Sequence, residues 1–218
     1  MGKRTDRNHM REVYQKKSTL YLFMKRVFDI LFSLIALICL SPIFLFTAIA
    51  ILIEDGGPVV FTQSRMGKEG NPFQIYKFRS MSKGADRQML ELMESNEQTG
   101  HAFKIKNDPR ITRVGRIIRR FSIDELPQLI NVIKGDMSVV GPRPILTFQM
   151  EECSEYEKQR LLVRPGLTCY WQISGRANIK WEKWIELDLD YIEDMSLWTD
   201  IKIIVRTVPA VFDREGAY

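Results

Sequence analysis

The apolar positions form one long run followed by shorter periodic segments. From Val27 to Ile53 only Asp29 is charged. About 20 apolar residues cross a bilayer as a helix, so length predicts a membrane segment. Ser41-Pro42 sits near the centre of the run. Proline removes a backbone donor and clashes with the preceding turn, which predicts a break. Ser41 can return a hydrogen bond to a freed carbonyl. The halves, about 11 to 15 residues each, would be roughly 16–22 Å of helix, short of a hydrocarbon core of about 30 Å. The pattern predicts a re-entrant helix-break-helix over residues 22–54. A kinked spanning helix is the competing physical reading. Arg26, three residues before Asp29, is expected to pair with it on one helix face and so offset the cost of an intramembrane charge.

Beyond a turn at Glu54–Pro58, residues 55–218 read as one domain on the cytoplasmic face. Val59–Phe61 and Phe73–Tyr76 flank the Gly67–Asn71 loop as a hairpin. Residues 83–98 read as a polar helix and 99–109 as a loop. Ile111–Arg120 is a short basic amphipathic helix, Ser122–Ile133 another helix closed by Gly135, and 149–162 a charged helix. Residues 179–195 and 197–212 are amphipathic with tryptophans. They would lie in the membrane interface or simply cover the core. The fold class is α-rich α+β: a re-entrant membrane segment, then a small domain of helices with a short β-hairpin and interfacial helices.

Charge alters the picture at one end. The 218 residues carry a formal +5, yet residues 1–26 alone carry +6, leaving the rest about neutral. The basic segment (residues 1–21) runs into the apolar run, so anionic lipid is the expected partner and nucleic acid is not. Three cysteines without a CxxC pair argue against a disulfide framework, which fits a reducing compartment. Neither His9 nor His101 has a ligand cluster near it, so no zinc site is expected.

Four constellations carry chemistry. Ser122 with Glu125 has capping-box spacing, but capping needs neither Asp124 nor the preceding Arg119 and Arg120. Adjacent carboxylates at a helix start beside arginines suit a phosphate and a divalent cation, and an ionised carboxylate can attack phosphorus. Arg143, between Pro142 and Pro144, is a guanidinium presented at low entropic cost. Gln63-Ser-Arg65-Met-Gly67 precedes a strand with Lys77 and Arg79 on one face. Arg164 and Arg176, beside glycine turns, are further phosphate or sugar contacts. Each pattern has a plain structural reading: a helix start, a rigid turn, a solvated strand face, surface turns.

Taken together, Lys25-Arg26…Asp29, Ser41-Pro42, Tyr76–Met81, Asp108–Thr112, Ser122–Gln128, Asn131–Ser138, Gly141–Pro144 and Arg164–Gly166 resemble the bacterial sugar transferases, the small monotopic phosphoglycosyl transferases, from about residue 22 onward. The resemblance implies a re-entrant segment broken at Ser41-Pro42. It implies transfer of a sugar-1-phosphate from a UDP-sugar to polyprenyl phosphate at the inner membrane's cytoplasmic face, releasing UMP. Asp124 would be the nucleophile that carries a phospho-sugar, Glu125 an assisting base, and Mg2+ would sit at the pair. Lys77, Arg143 and either Arg119 or Arg120 would contact phosphate. A non-catalytic scaffold of a glycan assembly complex is the alternative. The sugar, the pathway and self-association are left open.

Overall fold

The computed structural model describes residues 9–85, 108–175 and 179–212. Three helices open the chain: α1 (His9–Gln15), α2 (Thr19–Cys39) and α3 (Ser41–Asp55). The break falls at Leu40, and α3 restarts with Pro42 in its first turn. The two axes are bent by 61°. Ser41 Oγ donates to Ile38 O at 2.8 Å, satisfying a carbonyl that proline cannot serve. Among the described residues no single helix is long and apolar enough to cross a membrane, whereas the bent pair together meets that test.

α2 begins well before the apolar run. Its 21 residues make about 31 Å of helix, so the expected shortness of the first half does not hold. A polar stripe sets it apart instead: Lys25, Asp29 and Ser33, spaced four residues apart, are buried and share one face. The expected Arg26–Asp29 pair does not form. Arg26 donates to Val132 O and Ile133 O at 2.6 and 2.8 Å. Asp29 accepts from the Val139 N–H at 3.0 Å. Lys25 Nζ reaches Asp200 Oδ2 at 2.6 Å and Val140 O at 3.1 Å. Backbone groups at element ends need partners, and these charges supply them. Leu31, Ile35, Ile38, Leu45, Phe46 and Ile53 stay exposed on the pair.

The far end of α3 returns to the same body. Glu54 accepts from the N–H groups of Arg113 and Val114 at 2.8 and 2.9 Å. Arg79 pairs with Asp55 at 3.1 Å.

The hairpin forms as expected, with β1 (Val60–Met66) antiparallel to β2 (Pro72–Phe78) and Phe61 opposite Lys77. Next comes α4 (Arg113–Arg120), capped by Thr112. Gly115 is required there, because a Cβ would lie 1.9 Å from Ser80 O. The single helix expected over Ser122–Ile133 is two pieces: a 3-10 turn at Ile123–Glu125 and α5 (Gln128–Lys134). Ser122 adopts left-handed φ of 54° and makes no capping bond, so the capping-box reading fails. That kink ends α4, and Pro127, lacking an N–H, starts α5 afresh.

A parallel pair, β3 (Ser138–Val140) with β4 (Gly166–Thr168), was not foreseen. The helix expected over 149–162 is α6 (Thr147–Glu152), α7 (Glu155–Lys158) and a 3-10 turn at Gln159–Leu162. Extended Cys153 breaks it, and the capping box lies at Ser154 and Glu157. The chain ends in α8 (Tyr170–Ile173), α9 (Trp181–Asp194) and α10 (Leu197–Phe212). α9 covers the core, burying Trp181, Ile185, Leu189, Tyr191 and Ile192 against Val132, Val139 and Val140. α10 presents Trp198, Ile201, Val205 and Val208 outward. Met10 of α1 is fully buried, and Lys17 donates to the carbonyls of Glu193 and Met195 at 2.8 and 3.1 Å. The basic arm is therefore folded in from His9. Residues 83–85 form a turn, and the rest of the segment read as helix and loop, residues 86–107, lies outside the described residues. All three cysteines are free thiols.

Candidate active site

The 3-10 turn at Ile123–Glu125 carries two adjacent carboxylates whose partners differ. Glu125 is clamped. Arg143 grips it with both nitrogens, at 3.1 and 2.5 Å, and Lys77 Nζ donates to it at 2.8 Å. Burial pushes the Glu125 carboxyl up, but Arg143 and Lys77 outweigh it and hold the group well below its usual range. Asp124 is buried, and no described side chain donates a hydrogen bond to its carboxyl. Burial pushes its pKa up to about 6, against the pull of Lys77 and with the neighbouring Glu125 adding to the rise. One carboxylate is thus a fixed counterion, and its neighbour is a buried carboxyl without a described hydrogen-bond donor, near the edge of ionisation.

The cations come from separate elements. Lys77 is the penultimate residue of β2, and burial pulls its pKa down. Arg143 sits between its two prolines just after β3. Arg119, on the last turn of α4, is half-buried and acts electrostatically on Asp124. Arg120 is exposed and lies over the Phe121 ring at 5.5 Å. Of the two, Arg119 is the one among the charges acting on Asp124.

Other candidates are engaged elsewhere. Arg79 is 8% exposed and serves Asp55 and the carbonyls of Asp55 and Gly56. It fastens the end of α3 rather than facing the carboxylates. Arg164 Nε donates to Gly135 O at 2.8 Å, closing α5. Arg176 lies outside the described residues.

Residues 20–214 match the profile of the family described as bacterial sugar transferase. The chain belongs to that family. The galactosyl transferase CpsE of Streptococcus agalactiae serotype III (strain NEM316) is 44% identical over 198 residues, covering 90% of this chain and 44% of its own. The undecaprenyl-phosphate galactose phosphotransferase of Salmonella typhimurium is 43% identical over 201 residues, covering 90% of this chain and 42% of its own. The exopolysaccharide production protein ExoY of Sinorhizobium fredii is 40% identical over 198 residues, 89% of this chain and 88% of its own. The chain thus spans less than half of the first two relatives and most of the third.

Sequence reasoning gave Arg65 no role of its own, yet it adjoins this site in the transferase fold. It donates to Gln63 Oε1 at 2.7 Å and Pro144 O at 3.4 Å, both neutral acceptors. Burial, with Arg143 nearby, pushes its pKa down to about 10. The available signal was the hairpin register. Phe61 opposite Lys77 puts Gln63, Arg65 and Lys77 on one face. Among the described residues no group of three His, Cys, Asp or Glu could share an ion. Glu125 is taken up by Arg143 and Lys77, which leaves Asp124 as the carboxylate that fits Mg2+, an ion that keeps waters and takes other ligands from substrate phosphates.

Proposed function

We propose that this chain transfers a sugar-1-phosphate from a UDP-sugar to polyprenyl phosphate, through a phospho-sugar carried on Asp124. The observation that carries the reading is the contrast between the two carboxylates: a buried, unengaged Asp124 beside a Glu125 held by Arg143 and Lys77. Members of the family named as undecaprenyl-phosphate sugar phosphotransferases support it. The chemistry follows from the positions. An Asp124 oxygen attacks the phosphorus that bears the sugar. The bond to the bridging oxygen breaks, and UMP leaves with its electron pair. An oxygen of polyprenyl phosphate then attacks the same phosphorus and returns the Asp124 carboxylate. Lys77, Arg143 and Arg119 hold the phosphate oxygens, and Arg65 adds an unneutralised cation nearby. Arriving phosphates would replace Glu125 on Arg143 and Lys77. Freed of them, Glu125 regains enough basicity to assist the second step.

Mg2+ belongs to this proposal, held by Asp124 together with the diphosphate, where it would offset the negative charge of the phosphate oxygens. The membrane segment belongs to it as a re-entrant pair at the cytoplasmic face of the inner membrane. Support comes from the anchoring of both arms. α2 is tied through Lys25 and Asp29, and α3 through Glu54 and Asp55, to a single body. A spanning helix would carry Asp55 to the opposite face from Lys25. A scaffold without catalysis has no need of a buried, unengaged carboxylate among cations.

The test is a panel of UDP-sugars assayed for UMP release, with mass analysis of the peptide containing Asp124. A sugar-phosphate adduct on that peptide, absent from Asp124→Asn, is expected. Full turnover by Asp124→Asn would end the nucleophile assignment.

A further inference from the structure

We propose that Trp171 is a positioning residue for Arg143, keeping its guanidinium in place when the donor phosphates take it from Glu125. The inference rests on the donor site described above.

Arg143 is held along two directions. Its donor edge faces Glu125. Its guanidinium carbon lies over the Trp171 ring, 5.4 Å from the centroid. Trp171 is backed by Trp184, stacked at 4.6 Å with an interplanar angle of 23°. Trp184 in turn meets Trp181 edge-on at 5.3 Å. Behind this stack Arg160 lies over the Trp184 ring at 5.3 Å and pairs with buried Asp188 at 2.5 Å. Its Nη2 also donates to Arg143 O at 2.7 Å. The Arg143 carbonyl and guanidinium therefore both contact one packed assembly.

The parallel strand pair creates this arrangement. Ser138 lies opposite Gly166 and Val140 opposite Thr168, which sets the segment after β3 beside the one after β4. Gly141 and Gly166 allow the approach, since a Cβ on Gly166 would lie 2.1 Å from Gly141 N.

The two holds differ in what substrate does to them. The Glu125 contact is an ion pair along the edge that phosphate must occupy, so binding breaks it. The ring contact involves no carboxylate, so an arriving phosphate does not compete for it. A long arginine released from one partner loses its orientation unless another persists. Trp171 supplies that partner, so its effect on donor binding runs entirely through Arg143.

UDP affinity of the full chain in detergent, measured by calorimetry, tests this. Trp171→Leu is expected to weaken UDP about three- to tenfold, as for a cation over an aromatic ring. Trp171→Phe, which keeps a ring face, should return affinity to within about twofold. In an Arg143→Ala background, Trp171→Leu should change nothing further, because no guanidinium is left to orient. Wild-type UDP affinity in Trp171→Leu would overturn the proposal, as would an equal loss in both backgrounds. Trp171→Met, which fills space without a ring, replaces the leucine variant if that one does not fold. A wild-type chain that binds no UDP would remove the donor site itself, and this inference with it.

Discussion

Arg143 holds Glu125 through both of its terminal nitrogens, 18 residues apart in sequence. Lys77 adds a third bond to the same carboxylate. In the proposed reaction Glu125 occupies the place that a substrate phosphate takes.

Removing that counterion should leave two cations short of a partner. Glu125→Gln is expected to lower stability by about 1–3 kcal/mol, less than for a fully dry pair because these side chains keep some exposure. Pyrophosphate should restore melting temperature more in this variant than in the wild type. Equal shifts in both would show that Lys77 and Arg143 do not bind phosphate.

Asp124 should behave in the opposite way. Its folded pKa, about 6, lies above the unfolded value of about 3.9. The folded chain binds that proton more tightly, so stability falls as pH rises from about 4 to 6, with the full cost present above 6. Asp124→Asn is expected to raise the melting temperature at pH 7.5, by roughly 1–3 kcal/mol in stability, while abolishing UMP release. A variant that melts at or below the wild type would contradict the buried, unengaged carboxylate.

The same group sets a pH dependence of rate. The nucleophile is the ionised form, so UMP release should drop about tenfold per pH unit well below pH 6 and level off above it. A flat profile from pH 5 to 7 would assign the nucleophile elsewhere.

Arg119→Ala and Arg120→Ala should separate. Arg119 acts on Asp124 and Arg120 lies over Phe121. Loss of Arg119 is expected to slow UMP release by tenfold or more, as for removal of a charge stabiliser. Loss of Arg120 should cost less than about threefold. Equal losses would erase the distinction.

Topology is testable by labelling. Single cysteines at Lys16 and Lys68, on either side of the bent pair, should react with an impermeant reagent from the same face. Pro42→Ala should allow partial straightening, and adding Arg79→Ala, which frees Asp55, should increase it. Labelling from opposite faces in the wild type would establish a spanning helix.

Much of this was legible in the sequence because it is local. Ser41-Pro42 marks the break since proline acts on its own turn. The β1–β2 hairpin follows from alternation around Gly67–Asn71. Asp124, Glu125, Arg143 and Lys77 stood out as candidates through their neighbours, prolines or paired charges, and the fold brings the four together. The failures are of another kind. Ser122 and Glu125 have capping-box spacing, yet Glu125 turns away because Arg143 and Lys77 offer a stronger interaction than one backbone N–H. Arg26 and Asp29 are spaced to pair, yet each satisfies a distant backbone group instead.

The sequence by itself determined the broken apolar segment, the hairpin and the identity of the acidic pair, because spacing and backbone restriction act over a few residues. Tertiary structure alone decided which carboxylate is engaged and which is available. It also decided that Arg119 acts on Asp124 while Arg120 lies over Phe121, and that Arg79 and Arg164 fasten helix ends. Those outcomes depend on burial and on partners many residues away, brought together only when α2, β2, α5 and β3 pack into one body.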